Sequence, residues 1–393
     1  MNRKLWLLAA CQGLFLTNNV TFIAINGLVG LSMAPRAWMA TLPVMGYVVG
    51  GALSTGLVAR TQQRYGRRLS FQIGLGVAFA AALLCALAAV SRNFWLLTLA
   101  TVIAGYYNAN AGLYRFAAAE LTPPDGREKA VSIVMAGGLI GAVAGPNLAS
   151  ATRDVLAVPF AGAYLALAGV ALLAMAVMHF IEFPALPATQ RANGGRPLRE
   201  IIRQPVFAVA ALSGALGFGV MNLLMAATPL AMQICSLPFP DVAFVLEWHV
   251  IGMFAPGFFT GHLIRRFGAL PVMGVGLMLQ LGCIAVALSG VDLHQFLVAL
   301  FLLGVGWNFL FTGSTTLSLG TYTPEERDRA QGALNFSVFA TVAVTSLASG
   351  VLVTTQGWQW LNIGSLVPVA MIAAALLWLA RRQAVARRAA APA

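Results

Sequence analysis

Glu247, His249 and Arg115 are titratable or charged residues set inside stretches of chain that are otherwise apolar. Of 12 acidic residues, Glu247 alone lies well inside such a stretch, while Glu120 and Asp241 stand at the ends of others. A carboxyl isolated among apolar side chains exchanges its proton rather than hold a bare charge, which is the chemistry a proton-coupled carrier needs. His249 adds a second titratable group. Residues two apart on a helix point about 200° away from each other, so the two do not pair directly. Both are proton-coupling candidates, with an interfacial, wet position as the alternative for Glu247, whose stretch begins near Val242. A cation in hydrocarbon costs about 2.5 to 3.5 kcal/mol on insertion scales unless it meets a polar interior. Arg115 therefore either binds substrate or gates, or it snorkels to headgroups near Glu120, about a turn and a half away.

Amides and aromatic rings surround these groups. On a helix, Tyr107, Asn110 and Tyr114 share one face, with Asn108 and Arg115 about 90° round from it, an arc too wide to face lipid. In the first apolar stretch Gln12, Asn19 and Asn26 recur every seven residues and form one stripe. Buried amides need partners, so these residues face other helices or a cavity. The second part of the chain supplies Asn222, Trp307, Asn308, Thr312, Asn335 and Phe336. Substrate-binding candidates are Asn19, Tyr107, Asn108, Asn110, Tyr114, Arg115, Asn222, Trp307, Asn308 and Asn335. Aromatic walls with a few uncharged polar groups suit an amphipathic or aromatic small-molecule substrate. No G-x-S-x-G or H-E-x-x-H occurs, and His179, His249, His262 and His294 are scattered, so neither an enzyme nor a metal site nor a cofactor is expected. The 4 cysteines lack metal or redox spacing and read as small apolar fillers.

The elements that must position these residues follow from composition. With 59% hydrophobic and 9% charged residues and a mean hydropathy of +0.82, the 393-residue chain lies far outside soluble proteins. Twelve apolar runs, at about 5–30, 38–59, 69–90, 94–119, 130–150, 158–181, 206–230, 242–264, 271–290, 295–320, 330–353 and 359–380, are each long enough to cross a bilayer as a helix. They lack the period-2 alternation of a membrane barrel. The expected fold is an all-α integral membrane protein of twelve spans. Residues 1–183 form a six-helix N-terminal half, 184–204 a cytoplasmic linker rich in Pro and Gly, and 205–393 a six-helix C-terminal half with a short basic tail.

The net charge of +12 does not indicate nucleic acid, because 20 of the 24 Lys and Arg fall in loops on one side of the twelve spans, leaving Arg36, Arg92 and Arg153 on the other and Arg115 within the fourth span. That asymmetry places both termini in the cytoplasm of a multi-pass, bacterial-type inner membrane. Partners are the lipid bilayer, a small solute and protons, and the unit is expected to work as a monomer.

The two halves repeat. Arg64-Tyr65-Gly66-Arg67-Arg68 after the second span is echoed by Arg266-Phe267-Gly268 after the eighth, and Leu121-Thr122-Pro123-Pro124 through Arg127 to Ala130 by Tyr322-Thr323-Pro324 through Arg327 to Ala330, both about 200 residues later. On these motifs the chain resembles the major facilitator superfamily over essentially its whole length. Gln63 and Arg265 stand where that family's loop carries an aspartate, which in the family helps to latch the cytoplasmic gate. The fifth span's Gly141, Gly145 and Pro146 resemble the antiporter signature, with Ala149-Ser150 replacing its final glycine pair, and Thr101 occupies the place of the fourth-helix arginine. The resemblance implies gating roles for Arg64, Gly66, Arg67, Gly141, Gly145, Pro146, Arg266, Gly268, Arg127 and Arg327. It also implies secondary active transport by alternating access, with a site between halves. A proton-coupled efflux antiporter is slightly favoured; the alternative is an uptake permease for a cyclic nutrient such as a flavin-like metabolite. A passive channel has no filter motif to support it.

Overall fold

The computed structural model describes residues 3–123, 127–184, 195–323 and 326–390. Side chains in several places next to the gaps, those of Arg127 and Arg327 among them, lie outside the described part. In chain order the helices are α1 (Arg3–Met33), α2 (Leu42–Val90), α3 (Phe94–Ala111), α4 (Tyr114–Glu120), α5 (Arg127–Ala136), α6 (Gly138–Thr152), α7 (Ala161–His179), α8 (Leu198–Ile202), α9 (Pro205–Ile234), α10 (Phe239–Phe254), α11 (Gly257–Phe267), α12 (Ala269–Ser289), α13 (Leu293–Leu319), α14 (Arg327–Thr355) and α15 (Gly357–Ala390). Among the described residues there is no strand.

Ten helical segments are long and apolar enough to cross a membrane. One of them contains α2, whose 49 residues would run about 74 Å if straight, more than twice a ~30 Å hydrocarbon layer. It is two spans folded at Gly66, where φ is 75° and ψ 173°. Adding the pair α3–α4 gives the twelve expected spans. Gly268 makes the same reversal between α11 and α12 with φ 90° and ψ 161°. Both repeated-motif glycines thus occupy backbone space that a side chain would make costly. The repeat is a repeat of hinges, and no loop separates the second span from the third.

Several spans are interrupted where periodicity alone predicts continuity. The fourth breaks at Gly112-Leu113, the fifth at Gly137, and the eighth at Ala255-Pro256. Downstream, the basic tail continues α15 as helix to Ala390, and the linker contains the one-turn α8.

Packing inside the halves follows one plan. The first half pairs α1 with α6, α2 with α3, and α2 with α7; the second pairs α9 with α14, α10 with α13, and α12 with α15. Small residues permit these approaches: a Cβ on Gly141 would lie 2.5 Å from the Leu16 Cβ and 2.6 Å from the Thr17 nitrogen. Large apolar side chains such as Leu53, Leu99, Phe258, Val344 and Trp360 remain exposed on the outer surface, the pattern of a body solvated by lipid. Contacts between the halves run α1 to α9, α6 to α10, and α2 to α14, so the interface carries a two-fold relation of its own.

Candidate functional site

A cavity of about 220 Å³ opens between the halves toward the face that holds the start of α1 and the end of α15, here termed the basic face. From the first half α4 contributes Arg115 and Phe116; from the second, α9 supplies Gly214, α13 supplies Phe311, Ser314 and Thr315, and α14 supplies Gln331 and Asn335. Arg115 is mostly buried and its Nε has no hydrogen-bond partner, while its guanidinium sits 4.9 Å from the Phe116 ring. A guanidinium left with free donors beside hydroxyls and amides is a recognition group for carbonyl or anionic oxygen. Phe311 connects this polar mouth to an aromatic floor. It stacks on Trp307 at 5.2 Å with an interplanar angle of 10°, and Phe218 and Phe254 meet Trp307 edge-on at 5.3 and 6.2 Å. The Trp307 Nε1 is buried without a partner. The cavity wall itself carries Phe116, Phe311 and Tyr322 beside these polar groups, and the Trp307 cluster is packed behind Phe311.

Of the sequence-derived candidates, Arg115 and Asn335 are brought to this cavity, and Trp307 lies in the aromatic cluster that adjoins it. Others are committed to neighbouring helices. Asn110 donates to the Ser70 carbonyl at 3.0 Å and lies beside Oγ at 3.2 Å, tying the fourth span to the third. Asn222 reaches the Val342 carbonyl, Thr345 and Ser346 of α14. Asn308 donates to the Met253 carbonyl and accepts from Thr260, both at 2.7 Å, and so closes the break at Pro256. Tyr107 and Tyr114 are buried edge-on against Phe15 at 5.4 and 6.4 Å, and Asn108 faces Gly51. Asn19 donates to Tyr47 at 3.2 Å, and Asn26 accepts from Tyr164 at 2.5 Å. Phe336 is exposed and lines no part of the cavity. Sequence reasoning missed Phe311, Phe218 and Gln331; the aromatic pair four apart in one span, Trp307 and Phe311, was the available signal.

The opposite face is closed by contacts between the halves. Asn147 of α6 donates to Glu247 of α10 at 2.8 Å, and the Gly350 N–H of α14 donates to Thr41 at 3.1 Å. Phe160 and Phe239 meet edge-on at 5.1 Å. Glu247 is therefore an inter-half contact, half-buried, with an amide partner. His249 is fully buried, its Nδ1 2.6 Å from the Leu300 carbonyl oxygen, and it holds α10 to α13. The two do not touch, as their spacing predicts.

The gating candidates divide similarly. Gly141 and Gly145 press on α1, where Thr21 donates to the Gly145 carbonyl at 2.8 Å, and Pro146 lies inside α6. Arg67 grips Glu120 at the end of the fourth span through two bonds of 2.5 and 3.0 Å, and also Gln62. Arg64 and Arg266 lie over the rings of their own neighbours, Tyr65 and Phe267. On the linker, the Arg196 guanidinium and backbone N–H bind Glu326 at 2.7 to 2.8 Å, and Arg196 and Gln204 both donate to the Thr321 carbonyl.

A family description, the Major Facilitator Superfamily, matches this chain over residues 5–247 and 237–392. The chain belongs to the major facilitator superfamily. It is a membrane transporter and not an enzyme. Riboflavin transporter RfnT of Brucella anthropi is 37% identical over 363 residues, which cover 92% of this chain and 91% of that one. Among solved structures, nucleoside transporter NupG aligns with a TM-score of 0.77 at 14% identity over 95% of this chain and 99% of its own. A bacterial homologue of the human lysosomal transporter Spinster, inward-facing and occupied, aligns with a TM-score of 0.74 at 15% identity over 96% of each. Those two likenesses concern the fold. With Gln63 at the motif aspartate, the ion pair of Arg67 with Glu120 binds the hinge between the second and third spans to its own half.

Proposed function

We propose that the protein is an uptake carrier for riboflavin or a closely related flavin, working by alternating access. The observation that carries this reading is the 37% identity to a riboflavin transporter along nine-tenths of both chains. In support, the cavity wall offers Phe116 and Phe311 as surfaces for a planar ring, with Trp307 and Phe218 packed behind Phe311, and Arg115, Gln331 and Asn335 offer donors for a carbonyl edge and a polyol chain. Thr101 at the exporter arginine position and Ala149-Ser150 in the fifth-span signature support uptake over efflux. The basic face is cytoplasmic by the positive-inside asymmetry, which makes this form inward-facing. Glu247, joined to Asn147 across the closed face, is the proton-coupling group of the reading.

Expression in a bacterium unable to synthesise riboflavin tests it. Saturable accumulation of labelled riboflavin and growth at low external riboflavin are expected. Absence of uptake with the protein present in the membrane overturns the substrate, and riboflavin loss from preloaded cells overturns the direction.

A further inference from the structure

A second cavity, of about 520 Å³, lies at the face opposite the basic face, apart from the cavity that holds Arg115. Its walls come from both halves: Met33, Arg92, Arg153 and Phe160 from the first, Gln233 and Phe239 from the second. Arg36, Arg92 and Arg153 lie toward that face, and the last two both line the cavity.

Arg153 is held as a recognition group rather than as a loose surface charge. Its guanidinium lies 5.4 Å from the Phe160 ring and 5.6 Å from the Phe239 ring, so aromatic rings of both halves fix it. The Nε has no hydrogen-bond partner; Asp154 forms a long ion pair with it at 3.6 Å and keeps most of its own surface in solvent. Of the described non-glycine residues with positive φ, Arg92 at 52° and Ser236 at 61° are the left-handed residues that close α2 and α9, as the bonds from Asn93 N–H to the Ala88 carbonyl and from Leu237 N–H to the Met232 carbonyl show. Phe160, at 65° in the cavity wall, has a left-handed backbone that is costly for an aromatic residue and persists where surrounding structure demands it.

We infer that this cavity is a second ligand site, taking a small planar solute that bears a phosphate or carboxylate, with the anion on Arg92 and Arg153 and the ring along Phe160, Phe239 and Pro238. Its volume falls within the usual range for small-molecule pockets. Because both halves contribute walls, a bound ligand holds this face shut and slows turnover. The inference rests on the cavity itself and stands whether or not riboflavin is the transported solute.

Flavin mononucleotide is the probe, because it joins a planar ring to a phosphomonoester, and riboflavin is the matched control without the anion. Binding to the purified full-length protein in lipid-free detergent is followed by quenching of flavin fluorescence. The expected result is that Arg153→Gln and Arg92→Gln each weaken flavin mononucleotide binding at least about tenfold, with riboflavin binding unchanged by either. Arg92→Gln, at an exposed position, serves should Arg153→Gln fail to fold. Equal flavin mononucleotide binding by wild type and both variants overturns the site. So does binding lost only on adding phosphatidylglycerol vesicles and insensitive to both substitutions, which assigns the cavity's arginines to no solute. Failure of riboflavin to bind at all, with flavin mononucleotide still dependent on the arginines, removes the transport substrate and leaves this site standing.

Discussion

Glu247 meets Asn147 across the closed face, where its carboxylate accepts a charge-assisted bond from the amide. In Glu247→Gln the charge is gone at every pH. On the proposed reading, uphill riboflavin accumulation under a proton gradient is expected to vanish while substrate counterflow persists; undiminished uphill transport removes Glu247 from coupling. Arg115 is set apart by its unpartnered Nε in the cavity wall. Arg115→Ala is expected to raise the KM for substrate about tenfold, the loss of one charge-assisted bond of about 1.4 kcal/mol; wild-type kinetics would reduce Arg115 to a snorkelling cation. Glu326 belongs to the linker contact. The Arg196 side chain, the Arg196 N–H and the Thr323 N–H all stabilise its carboxylate and hold its pKa down to about 2, from an ordinary 4.5. A depressed value means stability that is complete above the unfolded pKa and lost as pH falls through the folded one. The thermal midpoint of wild type should therefore exceed that of Glu326→Gln above about pH 4.5, with the gap narrowing on acidification and gone below about pH 2.

Among the elements, the hinge glycines carry the clearest expectations. Gly66→Ala forces a side chain into φ 75°, and nothing crowds the site. Conformational strain alone then acts, and a loss on the order of 1 to 3 kcal/mol in stability is expected, read as a lower thermal midpoint. Gly195 has φ 89° and in addition faces the Glu326 Cγ at 2.5 Å from a would-be Cβ, so Gly195→Ala should cost the linker contact as well. The twelve spans were legible in the sequence because membrane crossing demands length and apolarity, both local properties. Breaks at Gly112, Gly137 and Pro256 were not, since a broken span is tolerated only where a neighbour repairs it, as Asn308 does from 55 residues away. The amides show the same limit. Asn110, Asn222 and Asn335 look alike in sequence, yet two serve helices and one lines the cavity, and only the identity of the helix opposite decides which.

For the molecule as a whole, the arrangement is one of two similar bodies shut at one face and parted at the other. Orientation is checked with an impermeant thiol reagent on intact cells, using Val155→Cys and Val385→Cys, both at positions 67% exposed and on opposite faces. Labelling at 155 and protection at 385 are expected, and the reverse pattern would turn the carrier over. A last consequence concerns where one body ends and the other begins. Residues 195–204 precede the second half in sequence, but Gly195, Arg196 and Gln204 are fastened to the turn that follows α13. As a mechanical part, that segment belongs to the second body before its first membrane crossing is reached. A gene split after Pro184 and resumed at Gly195 would accordingly yield two fragments that each retain their own clasps, Arg67 to Glu120 in one and Arg196 to Glu326 in the other. Co-expressed, they should reassemble into a working carrier, whereas a split placed after Gln204 would strand the second clasp on the wrong piece.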